Sequence, residues 1–225
     1  MFLSNPTKIF LTGFIFVCCF SGCGYQETAE SNGLTPPSAA PEFPFSTSEP
    51  EIYQAEIVIS ANGVEQKIFV ARSGPNRRVD YDFGGPNQRS ILENDKKYLI
   101  SFRNKIYAEA GISNGDQTAT NPLADELLNV REFMDFERLG EENGLTKYRA
   151  RVRDSDASEV IINIDEPLGL PVKQEFFSIN GEERTLEYSV ELKNIRREID
   201  AGVFEIPQGF RQTSIEAFQK LTAGR

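Results

Sequence analysis

Apolar and polar residues alternate with a period of two over most of the chain beyond residue 51. Residues two positions apart lie on the same face of a β-strand, so this alternation predicts strands with one apolar face. After the alternating run 53–59 comes Asn62-Gly63, a pair that tolerates the positive φ angles of a two-residue hairpin turn. Such a turn pairs Ile57 with Ile68 and places both side chains on one face, so the turn and the apolar pattern predict the same register.

The same combination of alternating runs and turn residues recurs along the chain, including at Asn143-Gly144 and Asn180-Gly181. It predicts a mainly β protein with about ten or eleven short antiparallel strands, which is typical of a barrel, a sandwich or one large curved sheet. Two short helices are also predicted, within 121–130 and within 213–225. The second opens with a capping box that begins at Thr213.

Composition excludes several classes of function. The chain of 225 residues contains no His, which removes Ser-His-Asp triads, Cys-His pairs and imidazole metal ligands. The formal net charge is -10, whereas a protein that binds nucleic acid needs a basic surface. We therefore predict no cofactor, no metal and no nucleic-acid partner.

The N-terminus has the features of a secretory signal. Residues 1–22 carry a positive charge at Lys8 and then an apolar run that is too short to span a bilayer. The run ends at Ser21-Gly22-Cys23, which resembles the bacterial lipobox, so we predict that Cys23 carries the lipid, with acyl groups such as palmitate. An ordinary signal peptide with a Cys near its end is the alternative.

Residues 23–50 are predicted to form the lipidated Cys23 and a disordered tether. The segment is rich in Pro, Ser, Thr and Glu and has no periodicity, so it buries too little apolar area to offset the entropy of ordering. Phe43 and Phe45 are exceptions that are able to dock on the following domain. Residues 51–212 form the predicted β domain, and 213–225 form a C-terminal helix and tail.

Neighbouring carboxylates are the candidates for catalytic groups or calcium ligands: Asp154 and Asp156, Asp165-Glu166, and Glu182-Glu183. None has the spacing of an EF-hand, and turns commonly use such residues for local hydrogen bonds. We predict no catalytic residue, and a hydrolase is the least favoured hypothesis.

A row of basic residues occupies one face of a predicted strand, at Lys147, Arg149, Arg151 and Arg153. The row is suited either to lipid headgroups or an acidic partner, or to ion pairs with neighbouring strands. We favour the ion pairs.

Several short motifs resemble, in the same order, those of the outer-membrane lipoprotein-sorting (LolA/LolB-like) superfamily. They fall within residues 51–212 and are Asp95-Lys96-Lys97-Tyr98, Lys105-Ile106-Tyr107-Ala108-Glu109, Leu145-Thr146-Lys147-Tyr148-Arg149, Gly169-Leu170-Pro171-Val172-Lys173, Glu191-Leu192-Lys193-Asn194-Ile195 and Phe204-Glu205-Ile206-Pro207-Gln208-Gly209-Phe210. The resemblance implies a single antiparallel sheet that curves into an unclosed half-barrel, with one or two short helices on its concave face. It also implies an apolar cavity for the acyl chains of lipids or lipoproteins, and no catalytic residues.

Alternation places five residues on the face that would line such a cavity: Ile57, Ile68, Val70, Tyr81 and Phe83. The leading hypothesis is a non-enzymatic, lipid-anchored envelope protein that binds a lipid or an acylated protein. The alternative is an envelope sensor or assembly factor that binds a protein partner on the same scaffold. Gly24 rather than Asp follows Cys23, which favours the outer membrane, facing the periplasm.

Overall fold

Twelve strands form one sheet in the part of the chain that the structure, a computed structural model, describes: residues 43–111, 122–128, 134–152 and 157–223. The strands are β1 (Ile52–Ala61), β2 (Val64–Ser73), β3 (Asn76–Tyr81), β4 (Arg89–Glu93), β5 (Lys97–Ser101), β6 (Ile106–Ala110), β7 (Met134–Glu142), β8 (Leu145–Val152), β9 (Ser158–Asp165), β10 (Leu170–Asn180), β11 (Glu183–Arg196) and β12 (Arg211–Gln212).

Two runs of neighbouring antiparallel strands, β1–β6 and β7–β11, make up this sheet. They join because β1 pairs with β11, and the order is β12-β6-β5-β4-β3-β2-β1-β11-β10-β9-β8-β7. Only β12 is parallel to its neighbour, through two residues beside β6. The sheet does not close, so the predicted mainly β fold with one open antiparallel sheet and two short helices is confirmed.

The first hairpin has the predicted register. Asn62 and Gly63 both adopt positive φ angles, 51° and 76°, and Ile57 lies opposite Ile68. Ala55 lies opposite Val70 in the same hairpin.

The hairpin between β10 and β11 turns within the predicted region around Asn180-Gly181. Asn180 pairs with Glu183, so Gly181 and Glu182 are the two turn residues, and Phe177 lies opposite Leu186. Gly181 is the first central residue of the turn and has a φ of 63°, a position at which two-residue hairpin turns favour glycine.

Two short helices accompany the sheet. A π-helical segment, Ala124–Leu128, packs against β10, and helix α1 (Ile215–Thr222) packs against β6. The Oγ of Ser214 accepts a hydrogen bond from the Ala217 amide at 3.2 Å, so Ser214 rather than Thr213 caps α1.

The segment before β1 belongs to the domain, which corrects the predicted boundary at residue 51. Phe45 is only 7% exposed and packs edge-on against Phe136, with ring centroids 6.3 Å apart. The Ser46 amide donates to the Gly169 carbonyl at 3.0 Å, and the carboxylate of Glu49 is buried. The composition of this segment favoured disorder, but the buried ring of Phe45 and the contacts of Ser46 and Glu49 hold it against the domain. Residues 23–42 lie outside the described part of the chain.

Residues 197–210, between β11 and β12, cross the sheet on the face opposite the main apolar cluster. Gln54, buried on that face, donates to Asp200 Oδ2 at 2.7 Å and accepts from the Asp200 amide at 2.9 Å. Arg78 donates to the Val203 carbonyl at 2.8 Å, and Phe210 packs against the Phe102 ring at 5.3 Å. The buried amide of Gln54 thus has hydrogen-bond partners on both its nitrogen and its oxygen within this segment.

Candidate functional site

The largest core cluster occupies the face that the sequence selected as the candidate site. Ile57, Ile68 and Val70 are buried there, with exposed fractions of 0%, 4% and 2%, and Tyr81 packs against them from the margin. β1, β2, β10 and β11 supply the cluster because they lie beside one another in the sheet. Its buried members are Tyr53, Ala55, Ile57, Ile68, Val70, Leu123, Leu127, Leu128, Leu170, Val190 and Leu192, and we call it the apolar face.

Phe83 is the one predicted site residue that the structure does not bring to the apolar face. β3 ends at Tyr81, and Asp82 adopts a φ of 52°, which interrupts the alternation. The Phe83 ring instead stacks on Phe69, with centroids 5.2 Å apart. Because Phe69 alternates with Ile68 along β2, this stack lies on the opposite face of the sheet.

Three leucines of the short helical stretch cover the apolar face. Leu123, Leu127 and Leu128 are all buried within its cluster, so the predicted site residues are packed against protein. Five residues of the stretch, Ala124–Leu128, form the π-helical segment. Residues 112–121 and 129–133, on either side of this stretch, lie outside the described part of the chain.

One buried amide ties this cover to the sheet. Gln174 pairs with Val190 across β10 and β11, so its side chain faces the same side as the apolar cluster. Its Nε2 donates to the Leu127 carbonyl at 2.6 Å, and the residue is 6% exposed. Sequence reasoning missed Gln174, although a polar residue at an inward position between Val172 and Phe176 is a detectable signal.

Charge on the helical stretch is confined to Asp125 and Glu126. Asp125 is exposed, and Glu126 is half-buried. Burial, and then the neighbouring charge of Asp125, raise the pKa of Glu126 above its usual range.

The basic row of β8 forms ion pairs, as predicted. Arg149 contacts Glu137 at 3.1 Å and Glu159 at 3.4 Å, and Lys147 contacts Glu142 at 3.6 Å. Arg151 also reaches Glu159, at 3.5 Å. Arg153 lies outside the described residues.

The candidate carboxylates that the structure describes serve local structure. Asp165 accepts a hydrogen bond from the Leu168 amide at 3.0 Å, and Glu166 accepts one from Thr146 Oγ1 at 2.6 Å. Glu182 and Glu183 are exposed at the turn after β10. Asp154 and Asp156, like Cys23, fall outside the described residues, within which no group of three or more acidic, Cys or His residues is arranged to hold a metal ion.

Within the described ranges, no helix is long and apolar enough to cross a membrane. No family model matches the chain. No curated protein matches it either.

Solved structures overlap the chain in part. MucB is 17% identical over 71% of this chain, with a TM-score of 0.44. An uncharacterized conserved protein from Thermus thermophilus is 11% identical over 72% of this chain and 89% of its own, with a TM-score of 0.40. A DUF1329 family protein from Desulfovibrio piger is 10% identical over 71% of this chain and 91% of its own, with a TM-score of 0.28. The chain spans 57% of the MucB chain, and we base no functional conclusion on overlaps this partial.

Proposed function

We propose that the chain is a non-enzymatic, lipid-anchored protein of the bacterial envelope that binds acyl chains of lipids or lipoproteins on its apolar face. The observation that carries the proposal is the cover: three leucines occupy the apolar face, tied to the sheet by the hydrogen bond from Gln174 to the Leu127 carbonyl. The resemblance to lipoprotein-sorting proteins supports the same ligand class.

Acyl chains are chemically suited to take the place of these leucines. Burying three leucine side chains is worth roughly 5–9 kcal/mol, while burying ~15 methylenes of an acyl chain at about 0.8 kcal/mol each is worth roughly 12 kcal/mol. Because apolar contacts are not directional, an acyl chain can fill the space of the leucines without matching their shape. The exchange breaks the hydrogen bond from Gln174 to the Leu127 carbonyl and leaves a buried amide without that acceptor, which costs about 1–3 kcal/mol.

A protein partner is the second candidate function. It is favoured by the dense packing of the face, where protein side chains alone leave Ile57 and Leu127 both 0% exposed. A face that is already filled is suited to a sensor or assembly factor that uses other surfaces of the sheet.

Native mass spectrometry separates the two functions. The chain expressed without residues 1–23 lacks Cys23, so any acyl lipid that copurifies with it is a bound ligand. Copurified lipid supports acyl binding, whereas a lipid-free protein that captures a protein partner supports the alternative.

A substitution of Gln174 tests whether the three leucines are displaced when an acyl chain binds. Gln174→Ala removes the bond to Leu127 and should raise the affinity for a fluorescent fatty acid by a few-fold, because the cover is then easier to displace. Gln219→Ala, at an exposed position of α1 outside the apolar face, is the matched control and should leave the affinity unchanged. Equal affinity in both variants would contradict exchange between the leucines and an acyl chain.

Cys23→Ala tests the anchor. The substitution should block lipidation and processing by the lipoprotein peptidase, because the acylated thiol is absent. A mature Cys23→Ala protein that still fractionates with membranes would show that the anchor assignment is wrong.

A further inference from the structure

A polar cleft of about 700 Å³ lies where the C-terminal end of α1 meets the sheet. The end of β3, the start of β4 and the turn after β5 form its sheet side, and Leu221 and Thr222 of α1 form the other side. The cleft lies outside the predicted site, with which it shares only Tyr81.

The cleft is basic in an acidic protein. Arg89, Arg103 and Lys220 line it, together with the amides of Asn87 and Asn104, and none of its described lining residues is acidic. The whole chain carries a formal net charge of -10, so a cleft with three cations and no carboxylate differs from the general surface. The local charge favours an anion.

Neutral acceptors hold the two guanidinium groups in place. Arg89 Nη2 donates to the Thr222 carbonyl at 2.9 Å, and Arg103 Nη1 donates to Asn87 Oδ1 at 3.1 Å. Each guanidinium has five N–H donors, so each keeps donors for a ligand. A neutral acceptor orients the group without cancelling its charge.

Most of the other described arginines are used differently, because their charges are neutralised by carboxylates. This holds for Arg72, Arg77, Arg78, Arg138, Arg149, Arg151, Arg184 and Arg196. Lys220 is exposed and, among the described residues, has no carboxylate within ion-pair distance. Lys67, Lys105, Arg197 and Arg211 also have no ion pair among the described residues, but none of them lines the cleft, which brings three such cations together.

We propose that this cleft binds a phosphate group. A phosphate monoester carries a charge of about -1.5 to -2 and three acceptor oxygens, which matches three cations better than a single carboxylate does. The Asn104 amide adds no free donor, because its Nδ2 already donates to Ser101 Oγ at 3.2 Å and to the Leu221 carbonyl at 3.5 Å. Tyr81 and the exposed side chain of Leu221 provide apolar contacts at the same site. The phosphate belongs either to a lipid headgroup or to a free phosphate, and the site does not depend on acyl binding at the apolar face.

Isothermal titration calorimetry on the full-length chain in a nonionic detergent tests the proposal, with inorganic phosphate as the probe. Binding should be saturable and should weaken as salt is raised, since the cations are exposed. Arg103→Gln and Lys220→Gln should each weaken phosphate binding about 3- to 10-fold, and the double variant more than either. Lys220 makes no described side-chain contact, so its substitution leaves the fold intact, which a melting curve verifies.

Arg197→Gln is the matched control, because it removes the same charge from an exposed residue outside the cleft. An equal loss of affinity in this control, or no saturable binding by the unsubstituted chain, overturns the proposal. Dihexanoyl phosphatidic acid then distinguishes the source, with dihexanoyl phosphatidylcholine as the zwitterionic control. A gain of about tenfold or more over inorganic phosphate identifies a lipid headgroup, and equal affinities identify free phosphate.

Discussion

Buried carboxylates in this protein are each bound by arginines. The side chains of Glu49, Asp80 and Glu159 are 6%, 2% and 6% exposed. Glu49 accepts from Arg72 at 3.0 Å, from Arg77 at 2.5 Å and from the Tyr53 hydroxyl at 2.5 Å. Removing one partner of such a group leaves the opposite charges without compensation, which costs more than the intact pair contributes.

Glu49→Gln should therefore destabilise the domain. The substitution keeps the shape of the side chain but removes the charge that both arginines contact. Because Arg72 and Arg77 are 24% and 29% exposed, water moderates the effect. We expect a loss of about 1–3 kcal/mol in the free energy of unfolding, measured with urea. Glu51→Gln, at an exposed position, should change it by less than about 0.5 kcal/mol, and equal losses would contradict the role of Glu49.

Tyr53 makes the stability sensitive to alkaline pH. Burial, and then the hydrogen bond to Glu49, raise its pKa above the usual value near 10. The unfolded chain therefore releases this proton first, and the stability that Tyr53 contributes below pH 10 is lost as the pH rises above it.

Tyr53→Phe should be less stable than the unsubstituted chain at about pH 8, by about 1 kcal/mol for the lost hydrogen bond. Above pH 10 the difference should shrink by up to about 1.4 kcal/mol per pH unit. Urea unfolding of both proteins across this range measures the difference. Parallel stability curves would show that Tyr53 titrates normally in the folded domain.

At the scale of the element, backbone conformation sets the first hairpin. Gly63 has a φ of 76°, and no atom lies within 4 Å of the place that a Cβ would occupy, so the cost of Gly63→Ala comes from conformation alone. We expect a loss of about 1 kcal/mol in the free energy of unfolding. Gly111→Ala is the control, because Gly111 also has open space but no positive φ, and it should be neutral or slightly stabilising. A similar loss at both positions would contradict the argument from conformation.

Local sequence was enough to predict features that depend on a few adjacent residues. Asn62-Gly63 and the alternation on either side predicted the pairing of Ile57 with Ile68, because turn and pattern agree. Phe83 was misplaced because a single residue, Asp82, takes a left-handed conformation that alternation does not reveal.

Features that depend on distant residues were not predicted from the sequence. Phe45 is buried because it packs into a cluster formed by residues of β7, β8 and β9. These strands lie far along the chain from Phe45. Gln174 has its partner at Leu127 in another element. The sequence marked Phe45 as a residue able to dock, but the partners of Phe45 and of Gln174 are defined only once the topology brings distant elements together.

At the scale of the molecule, the open sheet has two edges that are protected in different ways. β7 carries charged residues at Asp135, Glu137, Arg138, Glu141 and Glu142, and its pairing with β8 is interrupted by an irregularity at Gly140. β12 contributes only two residues at the other edge. Charges, irregular pairing and a short strand all oppose pairing between sheets of different molecules, so the sheet can stay open without aggregating.

The segment before β1 links the tether to the whole domain, and a pair of deletions tests where the fold begins. Deleting residues 24–42 should leave the melting temperature nearly unchanged, because the composition of that stretch favours disorder. Deleting 24–49 removes the burial of Phe45 and the ion pairs of Glu49, together worth about 3–6 kcal/mol. For a chain of this size, a loss of 1 kcal/mol lowers the melting temperature by about 2–4 °C, so the longer deletion should lower it by roughly 10–20 °C. Calorimetry measures the melting temperature of both proteins. Equal melting temperatures would show that residues 43–49 belong to the tether and not to the fold. A large drop with the shorter deletion would show that the fold begins before Phe43.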